Sequence, residues 1–140
     1  MRINVIVIAG ILGILAIAFL FLSESRSPEA AAQEFMEALA KKDVDRLVEL
    51  SFLEDAEPPL RDQWEFCVNR AAKNFVFMWQ FLGSESVSDD TQVLKVVVME
   101  FRGPQGQEGD VVNLPLRKID GVWKVELAGL DRNFFPYLPT

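Results

Sequence analysis

The chain has 140 residues, half of them apolar, with a net charge of −7, no histidine and one cysteine. That length leaves room for one folded domain. The charge disfavours nucleic acid, whose phosphates need positive partners, and the composition excludes an imidazole base and an intramolecular disulfide.

The first element is an apolar run, Ile3 to Leu22, without a charged residue. About 20 helical residues at 1.5 Å rise span roughly 30 Å, the thickness of a bilayer core. The run is longer than a signal-peptide core and ends in Phe19, Leu20, Phe21 and Leu22 rather than small residues, so residues 1–23 are expected to be an uncleaved transmembrane anchor. Arg2 before the span points to a cytoplasmic N-terminus and an exported body, residues 24–140. That body holds all 21 acidic residues and 13 of the 14 basic ones, a net charge of −8. Ala9 and Gly13, four apart, present small residues to which another membrane helix could pack.

Ser27-Pro28-Glu29 opens a helix with a capping hydroxyl, a first-turn proline and an acid at the positive dipole end. Ala31, Phe35, Ala38 and Leu39 follow at helical spacing. Asp43 caps a short second helix through Val44, Leu47, Val48 and Leu50, and the acidic, proline-containing stretch Glu54 to Pro59 breaks the chain. A long third helix is expected from Leu60 to Leu82. One of its stripes holds Trp64, Cys67, Phe75 and Trp79, and a second holds Phe66, Phe77 and Phe81. That is more apolar surface than one face against a sheet requires. Cys67 reads as a small buried hydrophobe.

After Gly83 the period changes to two: a short strand Ser84–Ser88, a turn at Asp89-Asp90, and a long strand Gln92–Arg102, apolar on both faces. Gly103 to Asp110 is a polar connector that matches neither GxGxxG nor GxxxxGK. LPLRKIDGVWKVEL, Leu114–Leu127, is a β-hairpin about Asp120-Gly121. A two-residue turn pairs Lys118 with Trp123, Leu116 with Val125 and Leu114 with Leu127, putting the large apolar residues on one face. Pro115 predicts a bulge or bend. Phe134, Phe135, Tyr137 and Leu138 would be costly in water, so the tail is expected to fold back over the core or a sheet edge.

The expected architecture is α+β: an N-terminal transmembrane helix, then two or three helices packed on a curved antiparallel sheet of about four strands. This order resembles the nuclear-transport-factor-2-like superfamily (cystatin-like cone, SnoaL-like), and within it small exported or anchored bacterial domains. The resemblance is carried by Ser27-Pro28-Glu29-Ala30-Ala31 with Phe35, by Ala38 to Asp43, and by Asp120-Gly121-Val122-Trp123-Lys124-Val125. It implies a cone of sheet wrapped around helices. Enzymes of that superfamily hold His, Asp and Tyr in the cone; this chain has no His, and its one Tyr is in the tail. Glu100 is the lone acid in the middle of a long strand, readable as a cavity carboxylate, as a group facing water or as a partner of Arg117.

No catalytic, metal or cofactor residues are assigned, since neither zinc-ligand nor EF-hand spacing occurs. The first functional expectation is a non-catalytic, membrane-anchored extracytoplasmic interaction module, an accessory subunit of a membrane protein complex. Ala9, Gly13, Phe66, Phe77, Phe81, Phe134, Phe135 and Tyr137 are its candidate contacts with membrane or envelope proteins or a second copy. The alternative is a small-molecule pocket protein, isomerase- or dehydratase-like, lined by Phe35, Leu39, Trp79, Leu116 and Trp123.

Overall fold

Ser27 starts the first helix as its sequence predicts: its hydroxyl accepts from the Ala30 N–H at 3.1 Å, and Pro28 occupies the first turn. The computed structural model describes residues 26–71, 76–101, 109–131, 135 and 137–140. The expected anchor with Ala9 and Gly13, and Phe134 of the tail, lie outside the described residues. No described helix is long and apolar enough to cross a membrane.

Helix α1 spans Pro28–Lys41 and buries Ala31, Ala32, Phe35, Met36, Ala38 and Leu39. Lys42 ends it in a left-handed conformation, φ 57°. Asp43 then caps α2, Val44–Leu50, by accepting from the Arg46 N–H at 3.1 Å. Strand β1 is Ser51–Phe52 and α3 is Leu60–Arg70. The long strands follow: β2 Val76–Ser88, β3 Thr91–Phe101, β4 Asp110–Ile119 and β5 Val122–Glu126, with a 3-10 turn at Leu127–Gly129. The sheet order is β1-β5-β4-β3-β2, with β1 parallel to β5 and every other pair antiparallel. The fold is therefore α+β, three helices on a five-stranded mixed sheet.

Three expectations are corrected. The long helix Leu60–Leu82 is a helix to Arg70 followed by the first half of β2. Apolar side chains stand at nearly every position from Val76 to Leu82, so the run satisfies both periods. Its aromatic and branched residues pair well across a sheet, and β3 needed a neighbour. Phe77, Trp79 and Phe81 thus lie two apart and pair with Glu100, Val98 and Val96. Second, the sheet has a fifth, parallel strand, β1, which at two residues is too short to show a period. Third, no bulge occurs at Pro115, which pairs with Val93 in unbroken register. The ladder to β5 begins one residue after it, at Leu116↔Val125, so the proline stands where pairing on that side has run out. The irregularities are in edge strand β2 instead, between Phe81 and Gly83 and between Ser86 and Ser88. Bulges there bend an open edge and hinder its pairing with other chains.

The hairpin takes the expected register, Lys118↔Trp123 and Leu116↔Val125, about a turn with Asp120 and Gly121 both at positive φ. Leu114 and Leu127 share the buried side but are not a ladder pair, because the chain enters the 3-10 turn at Leu127. Arg117 reaches Glu126 at 3.6 Å on the opposite face. The tail does return to the core: Phe135 and Leu138 are buried.

At the centre, Trp64 of α3 meets Phe35 of α1 edge-on, with ring centroids 6.0 Å apart. Its Nε1–H donates to Ser51 Oγ at 3.0 Å, and that hydroxyl donates to the Leu47 carbonyl at 2.5 Å. Replacing Trp64 by Ala is expected to cost about 3–5 kcal/mol, as for large aromatic truncations. Trp64→Phe keeps an aromatic ring but loses part of the indole's volume and the donor to Ser51, and should cost less than the alanine change, about 1–3 kcal/mol. Urea denaturation in mild detergent measures both; a Trp64→Ala protein as stable as the parent would refute this central role.

Candidate functional site

The last residues of the chain are held against α3 by a short polar relay. The Thr140 N–H donates to Gln63 Oε1 at 2.9 Å, and Gln63 Nε2 donates to the Pro58 carbonyl at 2.8 Å. Phe135 packs edge-on against Phe77, with centroids 5.9 Å apart, and Leu138 is buried nearby in sequence. Two buried anchors with Tyr137 between them push that residue outward. Its φ is +59°, a left-handed backbone that a bulky side chain rarely takes, and the residue is 58 % exposed.

Tyr137 stands perpendicular to Phe66 of α3, with centroids 5.9 Å apart, and Phe66 is itself 51 % exposed. The Arg70 guanidinium lies 5.0 Å from the Phe66 ring centroid, a cation–π contact. Between α3 and the tail runs an open groove of about 500 Å3, walled by Pro58, Asp62, Phe66, Tyr137 and Pro139. Its walls are mostly apolar, which suits non-covalent binding of a partly apolar ligand.

The other expected site residues are scattered. Phe35, Leu39 and Leu116 have no accessible surface, and Trp123 is buried. They form one core cluster rather than the lining of an open pocket. Trp79 is half-buried, donates from Nε1 to Gln33 Oε1 at 3.2 Å, and shares a shallow hollow with Gln33, Met78, Gln80 and Phe81. Of the partner-contact candidates, Phe77 and Phe135 are in the core, Phe81 is partly buried against it, and Phe66 and Tyr137 are exposed together. Pro58, Asp62 and Gln63 were not anticipated. Nothing in the local sequence shows that residues 137–140 return to α3.

The chemistry on offer is modest. Among the described residues no cluster of His, Cys, Asp and Glu could hold a metal ion. Glu100 pairs with Phe77 along the ladder, and its side chain lies outside the description. Arg46 bridges Glu34 and Glu49, and Arg26 reaches Glu34 at 3.2 Å. The hydrogen bond from Arg46 holds the Glu49 carboxyl below its usual range. On an exposed surface such a network contributes little stability.

The model of the family described as CbiX matches residues 23–98, from the segment before α1 into β3. The chain belongs to the CbiX family. That is a different family from the superfamily the sequence resembles, and the match stops before β4 and β5. Comparison with curated proteins finds no match. Among solved structures, this CbiX-family chain is similar to a calcium/calmodulin-dependent protein kinase type II association domain from Thiobacillus denitrificans. The identity is 15 %, covering 72 % of this chain and 90 % of that one, with a TM-score of 0.57. A SEC-C motif containing protein from Rhodopseudomonas palustris is similar at 23 % identity, 74 % and 77 % coverage and a TM-score of 0.54. These two likenesses show a shared fold and nothing of activity. An NTF2-like protein of unknown function from Pseudomonas putida is also similar, at 11 % identity, 68 % and 76 % coverage and a TM-score of 0.49.

Cys67 of this CbiX-family chain is fully buried on α3, and burial pushes its thiol up from the ordinary 9.0 to about 12, against a smaller opposing pull from Lys42. The folded protein should resist a disulfide reagent at pH 8 and react only after unfolding. Well below pH 9 the thiol is protonated in both states and adds no pH dependence. Between about 9 and 12 the unfolded chain ionises first, so stability should fall as pH rises there. Prompt labelling of the folded protein at pH 8 would contradict this burial.

Proposed function

We propose that the protein is a non-catalytic interaction module, held in a membrane by its N-terminal apolar segment with the domain outside the cytoplasm. In this reading it serves a partner protein as an accessory subunit. The observation that carries the reading is the division of its aromatic residues. The side chains expected to line an internal pocket, Phe35, Leu39 and Leu116, have no accessible surface and so touch no void that admits a water molecule. Phe66 and Tyr137, by contrast, are left open on one groove at the surface. Exposed aromatics beside an apolar groove are the usual anchors of protein recognition. The single basic residue before the span, Arg2, supports the orientation.

The small-molecule reading is less well supported, since three of the five side chains expected to line its pocket, Phe35, Leu39 and Leu116, have no accessible surface. The acidic body speaks against nucleic acid.

A photo-crosslinking residue placed at position 66 or 137 of the full chain, in native membranes, should give a discrete protein adduct. The same residue at Val122, exposed on the far hairpin, should not. Absence of adducts at both groove positions, with the protein migrating alone in mild detergent, would count against the module. A reporter enzyme fused after Thr140 should be active only outside the cytoplasm; activity inside would overturn the orientation.

A further inference from the structure

We propose that the groove between α3 and the C-terminal tail takes an extended, proline-containing segment of the partner protein with an arginine or lysine next to the proline. This rests on the interaction-module reading and names the chemistry of the partner.

The shape of the groove argues for an extended peptide. Its walls are a helix face, the tail and Pro58, with no open strand edge to which a β-strand could be added. Its volume, about 500 Å3, accommodates a few side chains rather than the row of anchors an amphipathic helix presents. A polyproline II segment has no internal hydrogen bonds and packs flat rings against exposed aromatics. Tyr137 supplies such a surface, held outward by its left-handed backbone and by the buried side chains of Phe135 and Leu138 on either side. Arg70 already covers Phe66, so Tyr137 is the more open of the two rings.

The polar groups argue for a cation. The Gln63 amide is occupied, accepting from the Thr140 N–H and donating to the Pro58 carbonyl. What the groove leaves over includes, beside the Thr140 hydroxyl, the Asp62 carboxylate and the Tyr137 hydroxyl, neither of which has a hydrogen-bond or ion-pair partner among the described residues. The two basic residues of α3 are engaged elsewhere: Arg61 donates to Asp45 Oδ1 at 2.7 Å, and Arg70 lies over Phe66. Pro58 is reached through exposed Glu54, Asp55 and Glu57, which extend the negative potential along one approach. A basic side chain beside the proline would meet Asp62, while the Tyr137 hydroxyl donates to a peptide carbonyl.

The test uses the full chain in mild detergent and two fluorescein-labelled decapeptides with the same proline-rich middle, one flanked by arginines and the other by glutamates. Anisotropy should show the arginine peptide binding about tenfold or more tightly than the glutamate peptide, with the difference shrinking as salt is raised. Asp62→Asn should remove most of that preference, and Tyr137→Ala should weaken the arginine peptide about tenfold. Asp62 is exposed, so Asp62→Asn decides the question even if Tyr137→Ala disturbs the tail. Equal binding of the two peptides, no binding of either, or indifference to Asp62→Asn would overturn the proposal. Crosslinks from position 137 to a protein, with no binding of the arginine peptide, would reject this occupant and leave the module standing. Neither crosslinks nor binding would reject both.

Discussion

The architecture depends on giving one buried indole a hydrogen-bond acceptor. Trp64 brings the largest side chain of the core to the point where all three helices meet, and an indole N–H cannot be buried unpaired without a cost of about 1–3 kcal/mol. Ser51 supplies the oxygen, itself satisfied by the Leu47 carbonyl at the end of α2. Ser51 also opens β1 and pairs with Val125 of the hairpin. One relay therefore fixes α3 to α2 and α2 to the sheet, while the edge contact of Trp64 with Phe35 brings in α1. No buried side-chain nitrogen or oxygen among the described residues is left unsatisfied.

A core filled in this way has a consequence for the surface. Among the described residues, Phe35, Leu39, Leu116 and their neighbours form one buried cluster between the helices and the sheet. Phe135 and Leu138 still find places in it, and Phe66 and Tyr137 do not. The groove beside them is what remains when a short aromatic tail is pinned at two buried points and passes over a helix whose own buried face is turned inward. Its exposure follows from the packing behind it.

The mistaken helix shows where periodicity runs out. From Val76 to Leu82 only Gln80 is polar, so a stripe three or four apart and a stripe two apart can both be drawn through the same residues. The choice was made by β3, whose Val96 and Val98 needed partners on an edge, and by Gln33 of α1, which accepts from Trp79. Neither is local. Pro115 is a similar case: whether a proline disrupts a ladder depends on where pairing with the neighbouring strand ends, and the β4–β5 pairs stop at Leu116↔Val125, just short of it. The groove was legible only in part. Tyr137 and Phe66 stand out as apolar surplus, but their meeting joins positions 71 residues apart through a tail with no period.

What the sequence determined by itself were the features whose causes lie within a few residues. Ser27 and Asp43 cap the helices they precede, because a side-chain oxygen two or three positions from a free N–H needs no distant help. Asp120-Gly121 sets the hairpin and its register, because two residues at positive φ close a two-residue turn. Only the tertiary structure decided that Val76–Leu82 is a strand, that Phe35, Leu39 and Leu116 are fully buried and that Tyr137 faces outward. Each of these is settled by what packs against a residue from far along the chain, and burial is a property of the assembled core rather than of any local stretch.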